Sequence, residues 1–132
     1  MRLLLDTHIA LWLATERGRL TPGELGTIIE PDNEVAISAV SIWELRIKWN
    51  RFYTTGTRKG PVDPLHFPKI IESFGLPIEA LSAEECAASL VVPIPHGDPF
   101  DELLLTVAQQ SGRKLLTRDS KMRGHPQAFH AD

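Results

Sequence analysis

Short apolar runs alternate with helix-like segments along this chain. Strands are predicted at the apolar runs, which cover residues 2–5, 35–37, 77–81 and 114–117. Helices are predicted between them, over 7–14, after the N-cap Thr21, after the N-cap Ser38, within 65–74, over 83–90 and along DPFDELLLTVAQQSG. Because strands that alternate with helices form covered parallel sheets, the expected fold class is α/β, with a central parallel sheet flanked by helices on both faces.

Length and composition are typical of one globular domain. The chain has 132 residues, 42% of them hydrophobic and 23% charged, so we expect a single domain over 1–132. No apolar run approaches the ~20 residues of a membrane helix, and the N-terminus does not resemble a signal peptide. We therefore expect a cytoplasmic protein with no membrane partner. The lone Cys86 is expected to be a small core residue.

Basic residues are concentrated in two stretches of a chain whose net charge is only -3. Residues 45–62 contain no acid, and residues 103–131 contain only Asp119. Such stretches suit phosphate binding, and the aromatic residues Trp49, Phe52 and Tyr53 could stack on unpaired bases. A solvated surface with core aromatics is the alternative. The candidate phosphate contacts are Arg46, Lys48, Arg51, Arg118 and Lys121.

Two acidic residues follow predicted strands. Asp6 comes directly after the first strand, and Asp119 follows the run KLLT. The carboxyl ends of parallel strands form the usual ligand site of such sheets. Each acid alone is better explained by a helix N-cap, so a site requires several acids to converge.

The helix DPFDELLLTVAQQSG places one acid on its apolar face. Asp98 before a proline is typical of an N-cap. At about 100° per residue, Asp101 falls between Leu104 and Leu105, whereas Glu102 falls on the polar side. A carboxylate facing a core costs several kcal/mol unless it is paired or binds a metal. Asp101 is therefore the site candidate of this helix.

Glu44 allows two interpretations. It lies at the border of an apolar stripe on its helix, and it also precedes Lys48 by four residues, the spacing of a surface ion pair. A second apolar stripe, Ile42, Leu45 and Trp49, suggests that this helix is covered twice, and self-association is one hypothesis.

Four segments, LLLDTHIALW, ISAVSIWELRIK, HGDPFDELLLTVA and LLTRD, occur in this order from Leu3 to Asp119. Together they resemble the PIN-domain ribonucleases, specifically the VapC-type toxins of toxin-antitoxin pairs. The resemblance implies a PIN-like three-layer fold and acids that surround one or two divalent cations. It also implies that Thr117 lines the site. Many relatives have Arg where this chain has Glu102. The acids implied are Asp6, Glu44, Asp101 and Asp119.

Oxygen ligands without a Cys-His cluster suit Mg²⁺ or Mn²⁺ better than zinc. We expect the principal ion at Asp6, Glu44 and Asp101, with Asp119 and Thr117 orienting a water or a second ion. Asp98 is the alternative inner ligand, although the helical projection favours Asp101. The predicted reaction is metal-dependent hydrolysis of RNA, and the implied partners are a VapB-like antitoxin and a second copy of the chain.

Other functions remain as alternatives. A PIN-fold binding module that has lost its activity is one of them, and the presence of all four acids counts against it. An aspartyl-phosphate phosphatase would want a carboxylate where this chain has His8, and a phospho-acceptor receiver would want one where it has Ser38. His8 and His96 are expected to be helix-start and loop residues, because a metal can supply the hydroxide without a histidine base.

Overall fold

The computed structural model describes residues 1–95 and 97–132, so His96 lies outside the described residues. Within them, five parallel strands form one sheet in the order β3-β2-β1-β4-β5. This arrangement confirms the predicted α/β fold with a central parallel sheet. The strands are β1 (Arg2–Leu5), β2 (Glu34–Ser38), β3 (Ile78–Glu79), β4 (Lys114–Leu116) and β5 (Ala128–Phe129).

Three helices begin at their predicted caps. Thr21 and Glu24 form a reciprocal capping box, the Ser38 hydroxyl accepts from the Val40 amide, and Asp98 accepts from the first-turn amides of its helix. Short 3-10 helices cover Arg17–Arg19 and Ser120–Met122. The α-helices are α1 (Thr7–Thr15), α2 (Pro22–Ile29), α3 (Ala39–Trp49), α4 (Phe67–Ser73), α5 (Ala83–Ala87) and α6 (Pro99–Ser111).

Helices cover both faces of the sheet. Successive side chains of β1 point to opposite faces, so Leu3 and Leu5 pack with α1, α2 and α4, while Leu4 packs with α6. Helix α3 contributes to both cores, because Leu45 joins the first cluster and Val40 the second. The three layers follow directly from this alternation of buried residues.

Three predictions about local structure were wrong. KLLT is not the last strand, because β5 adds to β4 through hydrogen bonds from the Leu115 amide to the Gln127 carbonyl and from the Thr117 amide to the Phe129 carbonyl. Helix α5 stops at Ala87 instead of residue 90, since Ala88 is extended. Cys86 is exposed instead of buried because α5 is a single short surface helix with no buried residue.

Strand register brings the ends of β1 and β4 together. Leu5 pairs with Leu116, and the Asp6 amide donates to the Leu116 carbonyl at 2.9 Å. The residues that follow, Asp6 and Thr117, are therefore neighbours at the carboxyl edge of the sheet. Among the described residues, none of the helices is both long and apolar enough to cross a membrane.

Candidate functional site

A cleft of about 720 Å³ opens at the carboxyl edge of the sheet. Its walls come from the start of α1, from α3, from the start of α6 and from the segment after β4. The described residues that line it are Asp6, His8, Ile9, Trp12, Glu44, Lys48, Arg51, Asp98, Pro99, Phe100, Asp101, Arg118 and Asp119. The acids at positions 6, 44, 101 and 119 thus share one cleft. Of the basic candidates, Arg46 and Lys121 are exposed and not among these lining residues.

Asp6 caps helix α1 and also faces the cleft. Its Oδ1 accepts from the Thr7 amide at 2.8 Å, and its Oδ2 accepts from Thr117 Oγ1 at 2.6 Å. Burial raises the pKa of this carboxyl, although both hydrogen bonds act to lower it. The cap and the cleft carboxylate are therefore the same group, and Thr117 lies beneath it as a buried hydrogen-bond donor.

Glu44 is held by two neighbours. Thr7 Oγ1 donates to its Oε1 at 2.8 Å, and Lys48 Nζ contacts its Oε2 at 3.0 Å. Both interpretations of Glu44 therefore apply, since it is buried at the cleft and also forms the i,i+4 ion pair. Ser41 lies 2.9 Å from the Thr7 hydroxyl.

The sequence analysis did not single out Thr7 or Ser41. The available signals were their positions, because Thr7 follows Asp6 directly and Ser41 precedes Glu44 by one helical turn on the same face. These two hydroxyls link the first helix to the third beneath the carboxylates.

Asp101 is the acid most affected by its surroundings. Burial, followed by the negative charges of Asp6, Asp98, Asp119 and Glu44, raises its pKa to about 7. The predicted helix face is confirmed, since Leu104 and Leu105 are fully buried and Glu102 is exposed. Asp98 is confirmed as the N-cap, with its Oδ1 2.9 Å from the Phe100 amide.

Asp119 caps the 3-10 helix that follows β4. Its Oδ1 accepts from the Lys121 amide at 2.9 Å, and its own amide donates to Thr117 Oγ1 at 3.1 Å. One buried hydroxyl, that of Thr117, therefore connects Asp119 to Asp6. The ring nitrogen Nε2 of His130 lies 2.9 Å from the Asp119 carbonyl oxygen and fixes this turn from outside.

A cluster of rings and a guanidinium forms one wall of the cleft. His8 stacks on Trp12 with centroids 5.7 Å apart and planes inclined by 20°. The Arg118 guanidinium lies over the Trp12 ring at 4.4 Å from its centroid. Arg118 Nε and Nη2 also donate to Glu24 at 2.8 and 2.5 Å.

The ion pair changes what Arg118 offers to a ligand. Burial acts to raise the pKa of Glu24, but the hydrogen bonds from Arg118 and from the Thr21 amide, together with the Arg118 charge, outweigh it, so the pKa is lowered. The same contact raises the pKa of Arg118. Arg118, predicted as a phosphate contact, therefore has its charge balanced by a buried carboxylate. Glu24 was predicted only within helix α2, and nothing in its spacing indicated this long-range partner.

A basic aromatic hairpin, residues 51–60, extends from the end of α3. An isolated antiparallel bridge joins Phe52 to Arg58, whose guanidinium lies 4.5 Å from the Trp49 ring centroid and 4.7 Å from that of Phe52. Phe52 and Tyr53 are 52% and 55% exposed, so they are not core aromatics. Arg51, at the base of the hairpin, lines the cleft.

Gly60 allows the hairpin to return against α3. A Cβ at this position would overlap the backbone of Trp49 and Lys48, which cannot give way as a flexible side chain would. We expect Gly60→Ala to lower the free energy of unfolding by about 1–3 kcal/mol through this overlap, measured by urea denaturation. Gly18→Ala is the control, because nothing lies within 4 Å of its added Cβ. An equal loss in both variants would contradict the overlap.

The carboxylates do not converge into a ready-made metal cage. Among residues 1–95 and 97–132, no group of three His, Cys, Asp or Glu side chains is placed to hold one ion. Asp6 and Glu44 instead accept hydrogen bonds from Thr117, Thr7 and Lys48. An ion bound at this cleft would complete its ligand set with water molecules.

Comparisons with known proteins agree with this architecture. The chain is 28% identical over 127 residues to Ribonuclease VapC22 of Mycobacterium tuberculosis (strain ATCC 25618 / H37Rv), covering 92% of this chain and 90% of the relative. It superposes on a toxin-antitoxin complex from Klebsiella pneumoniae with a TM-score of 0.61, 17% identity and coverage of 96% and 95%. VapBC2 from Rickettsia felis, bound to a promoter DNA fragment, gives a TM-score of 0.59 at 15% identity, with both chains fully covered.

A protein-family model also matches most of the chain. The PIN domain model aligns with residues 3–126, which include every strand but the last and all six α-helices. The chain belongs to the PIN domain family.

Proposed function

We propose that this protein is a metal-dependent endoribonuclease toxin of the VapC type, with residues 1–132 acting as one PIN domain. The observation that carries the proposal is the convergence of Asp6, Glu44, Asp101 and Asp119 on one cleft. The curated relative is named a ribonuclease, and two structural neighbours are toxin-antitoxin assemblies. These names support the same reaction and the same kind of partner.

The donor chemistry of the cleft fits Mg²⁺ or Mn²⁺. Burial and the negative charges of the neighbouring acids raise the pKa of Asp101 to about 7, and a divalent cation would offset that repulsion. Mg²⁺ keeps several waters and binds through one or two carboxylates, which suits a cleft without a three-ligand cage. Asp6, Glu44 and Asp101 would hold the ion, one or two of them directly and the rest through its water molecules. When bound, it supplies a water of lowered pKa and stabilises charge on a phosphate.

The other groups of the chain prepare these carboxylates. Thr117 and the Thr7 amide fix the two oxygens of Asp6, and Lys48 neutralises Glu44. Asp119 is held at the opposite side of Thr117, where it can orient a water toward the phosphate. Asp98 holds the first turn of α6 and so sets the position of Asp101.

Affinity for a divalent ion should rise with pH. Asp101 must lose its proton to ligate an ion, and its pKa lies at about 7. We expect Mn²⁺ binding, measured by titration calorimetry, to strengthen by up to about tenfold per pH unit below that value and to level off above it. Binding that is independent of pH between 5.5 and 7.5 would contradict the raised pKa.

Arg51 is the basic residue best placed to meet a phosphate outside the metal site. It lines the cleft at the base of the basic aromatic hairpin. We expect Arg51→Ala to weaken binding of RNA of every sequence. The slope of log binding constant against log salt concentration should become shallower by about 1. Arg46→Ala is the matched control, since Arg46 is exposed and not among the described residues of the cleft. Equal effects of both substitutions would argue against a specific role for Arg51.

The direct test is cleavage of a mixed-sequence single-stranded RNA with Mg²⁺ or Mn²⁺ and with EDTA. The proposal requires internal cuts that EDTA abolishes. Binding of RNA without any cut would favour the alternative of an inactive PIN-fold binding module. Hydrolysis of a small phosphate ester but not of RNA would favour the other alternative, a metal-dependent phosphohydrolase.

We further propose a VapB-like antitoxin and a homodimer as partners, and action on RNA in the cytoplasm. The antitoxin is supported by the two structural neighbours, which contain toxin and antitoxin together. For the dimer, Trp43 on α3 is 50% exposed beside Phe100, an apolar surface that a second copy would cover. A monomeric mass in gel filtration at micromolar concentration would contradict the dimer.

A further inference from the structure

His8 presents an aromatic ring to the cleft. One face of the ring stacks on Trp12, and the residue as a whole is exposed. Within the described part of the chain, Trp12 is the one aromatic ring that His8 contacts. His8 is exposed and lines the same cleft as Asp6 and Asp101, so its imidazole can be reached from that cleft.

The support behind this ring is held by several polar contacts. Trp12 carries the Arg118 guanidinium over its ring, and the guanidinium is fixed in its plane by the fork to Glu24 and by a hydrogen bond to the Arg19 carbonyl at 2.7 Å. Glu24 is only 2% exposed and is itself held in the capping box with Thr21. A buried carboxylate paired to a partly exposed arginine adds little net stability, so its clearest effect here is to fix the Arg118 plane on Trp12.

A flat, open ring with a fixed backing suits a nucleobase better than a phosphate. The charge of Arg118 is already balanced by Glu24, and stacking on an aromatic ring is available to every base. We propose that His8, backed by Trp12 and Arg118, is a stacking platform for the nucleobase next to the phosphate that is cut. This inference rests on the proposed ribonuclease function and adds a substrate contact to it.

The test uses a short single-stranded RNA whose cut site has been mapped by end labelling. An abasic nucleotide is placed at each position around the cut in turn, and kcat/KM is measured for wild type, His8→Ala and His8→Phe. For wild type, we expect kcat/KM to fall about tenfold when the abasic nucleotide is at one position adjoining the cut. For His8→Ala, kcat/KM on the intact RNA should be about tenfold below that of wild type, and the abasic RNA should lower it no further. His8→Phe should behave as wild type on both RNAs.

Each outcome has a separate meaning. If His8→Ala remains as sensitive to the abasic position as wild type, or if wild type is insensitive at every position adjoining the cut, the platform is overturned while the ribonuclease function stands. If wild type cuts no RNA with either metal, the proposed function fails and the platform fails with it. Because His8 is exposed, the melting temperature should be the same for all three proteins. If only His8→Phe melts at a lower temperature, the larger ring is a steric fault of that variant, and His8→Tyr takes its place in the test.

Discussion

Asp101→Asn should abolish metal-dependent RNA cleavage and at the same time stabilise the metal-free protein. Removing the carboxylate deletes a proposed ion ligand, for which we expect a loss in kcat of about a hundredfold or more. It also deletes a negative charge whose pKa is raised by burial and by the surrounding acids. Cleavage of labelled RNA and thermal melting in EDTA at pH 8 measure the two effects.

The sign of the stability effect follows from proton linkage. The folded chain binds a proton at Asp101 more tightly than the unfolded chain does, so this group destabilises the fold increasingly as pH rises from about 4 through about 7. The melting temperature of the wild type in EDTA should therefore fall between about pH 4 and pH 7, and that of Asp101→Asn should change less over the same range.

Asp98→Asn is the matched control for Asp101→Asn. Both changes remove one negative charge from the first turns of α6, but asparagine caps a helix as well as aspartate does. We expect Asp98→Asn to retain most of the cleavage. If instead Asp98→Asn is inactive and Asp101→Asn is active, Asp98 is the inner ligand and the assignment made here is reversed.

Thr117→Val should weaken the metal site without touching a carboxylate. The Thr117 hydroxyl donates to Asp6 at 2.6 Å in a buried position, and valine keeps the shape but removes the donor. Asp6 would then hold its proton more tightly, because burial raises its pKa and the Thr117 hydrogen bond that acts to lower it would be lost. We expect affinity for Mn²⁺ to fall by about 10- to 100-fold at pH 7 in a calorimetric titration.

Thr117→Ser separates this effect from packing. Serine keeps the hydroxyl and loses a methyl group, so its affinity for Mn²⁺ should stay close to that of wild type. A serine variant as weak as the valine variant would show that the methyl contact, and not the hydrogen bond to Asp6, positions the carboxylate.

Much of the fold could be predicted from local sequence patterns. The caps Thr21, Ser38 and Asp98 act through residues within one turn, so the sequence contains the whole interaction. Strand β5 is only two residues long, and it exists because the β4 backbone offers it partners. Nothing in the sequence near Ala128 and Phe129 specifies that pairing.

The candidate site was predictable only in part for the same reason. Asp101 stood out because its helix alone fixes the face on which it lies. Glu44 did not, since its burial depends on Thr7, thirty-seven positions away. The pairing of Arg118 with Glu24 spans ninety-four positions, and local spacing indicated a free cation there. Contacts between distant segments decide which charges remain available.

The pairing of β1 with β4 also determines when the cleft can exist. Asp6 and Thr117 are separated by 111 positions, and they meet only after β4 has docked beside β1. Contacts between such distant segments form late and slow the folding of a domain. During synthesis, a nascent chain whose β4 and Asp119 are still inside the ribosome lacks Thr117 beneath Asp6 and the acid on one side of the cleft. Ribosome-bound fragments that lack this segment are therefore expected to be inactive, so that any cleavage begins only after residues 114–119 have left the ribosome.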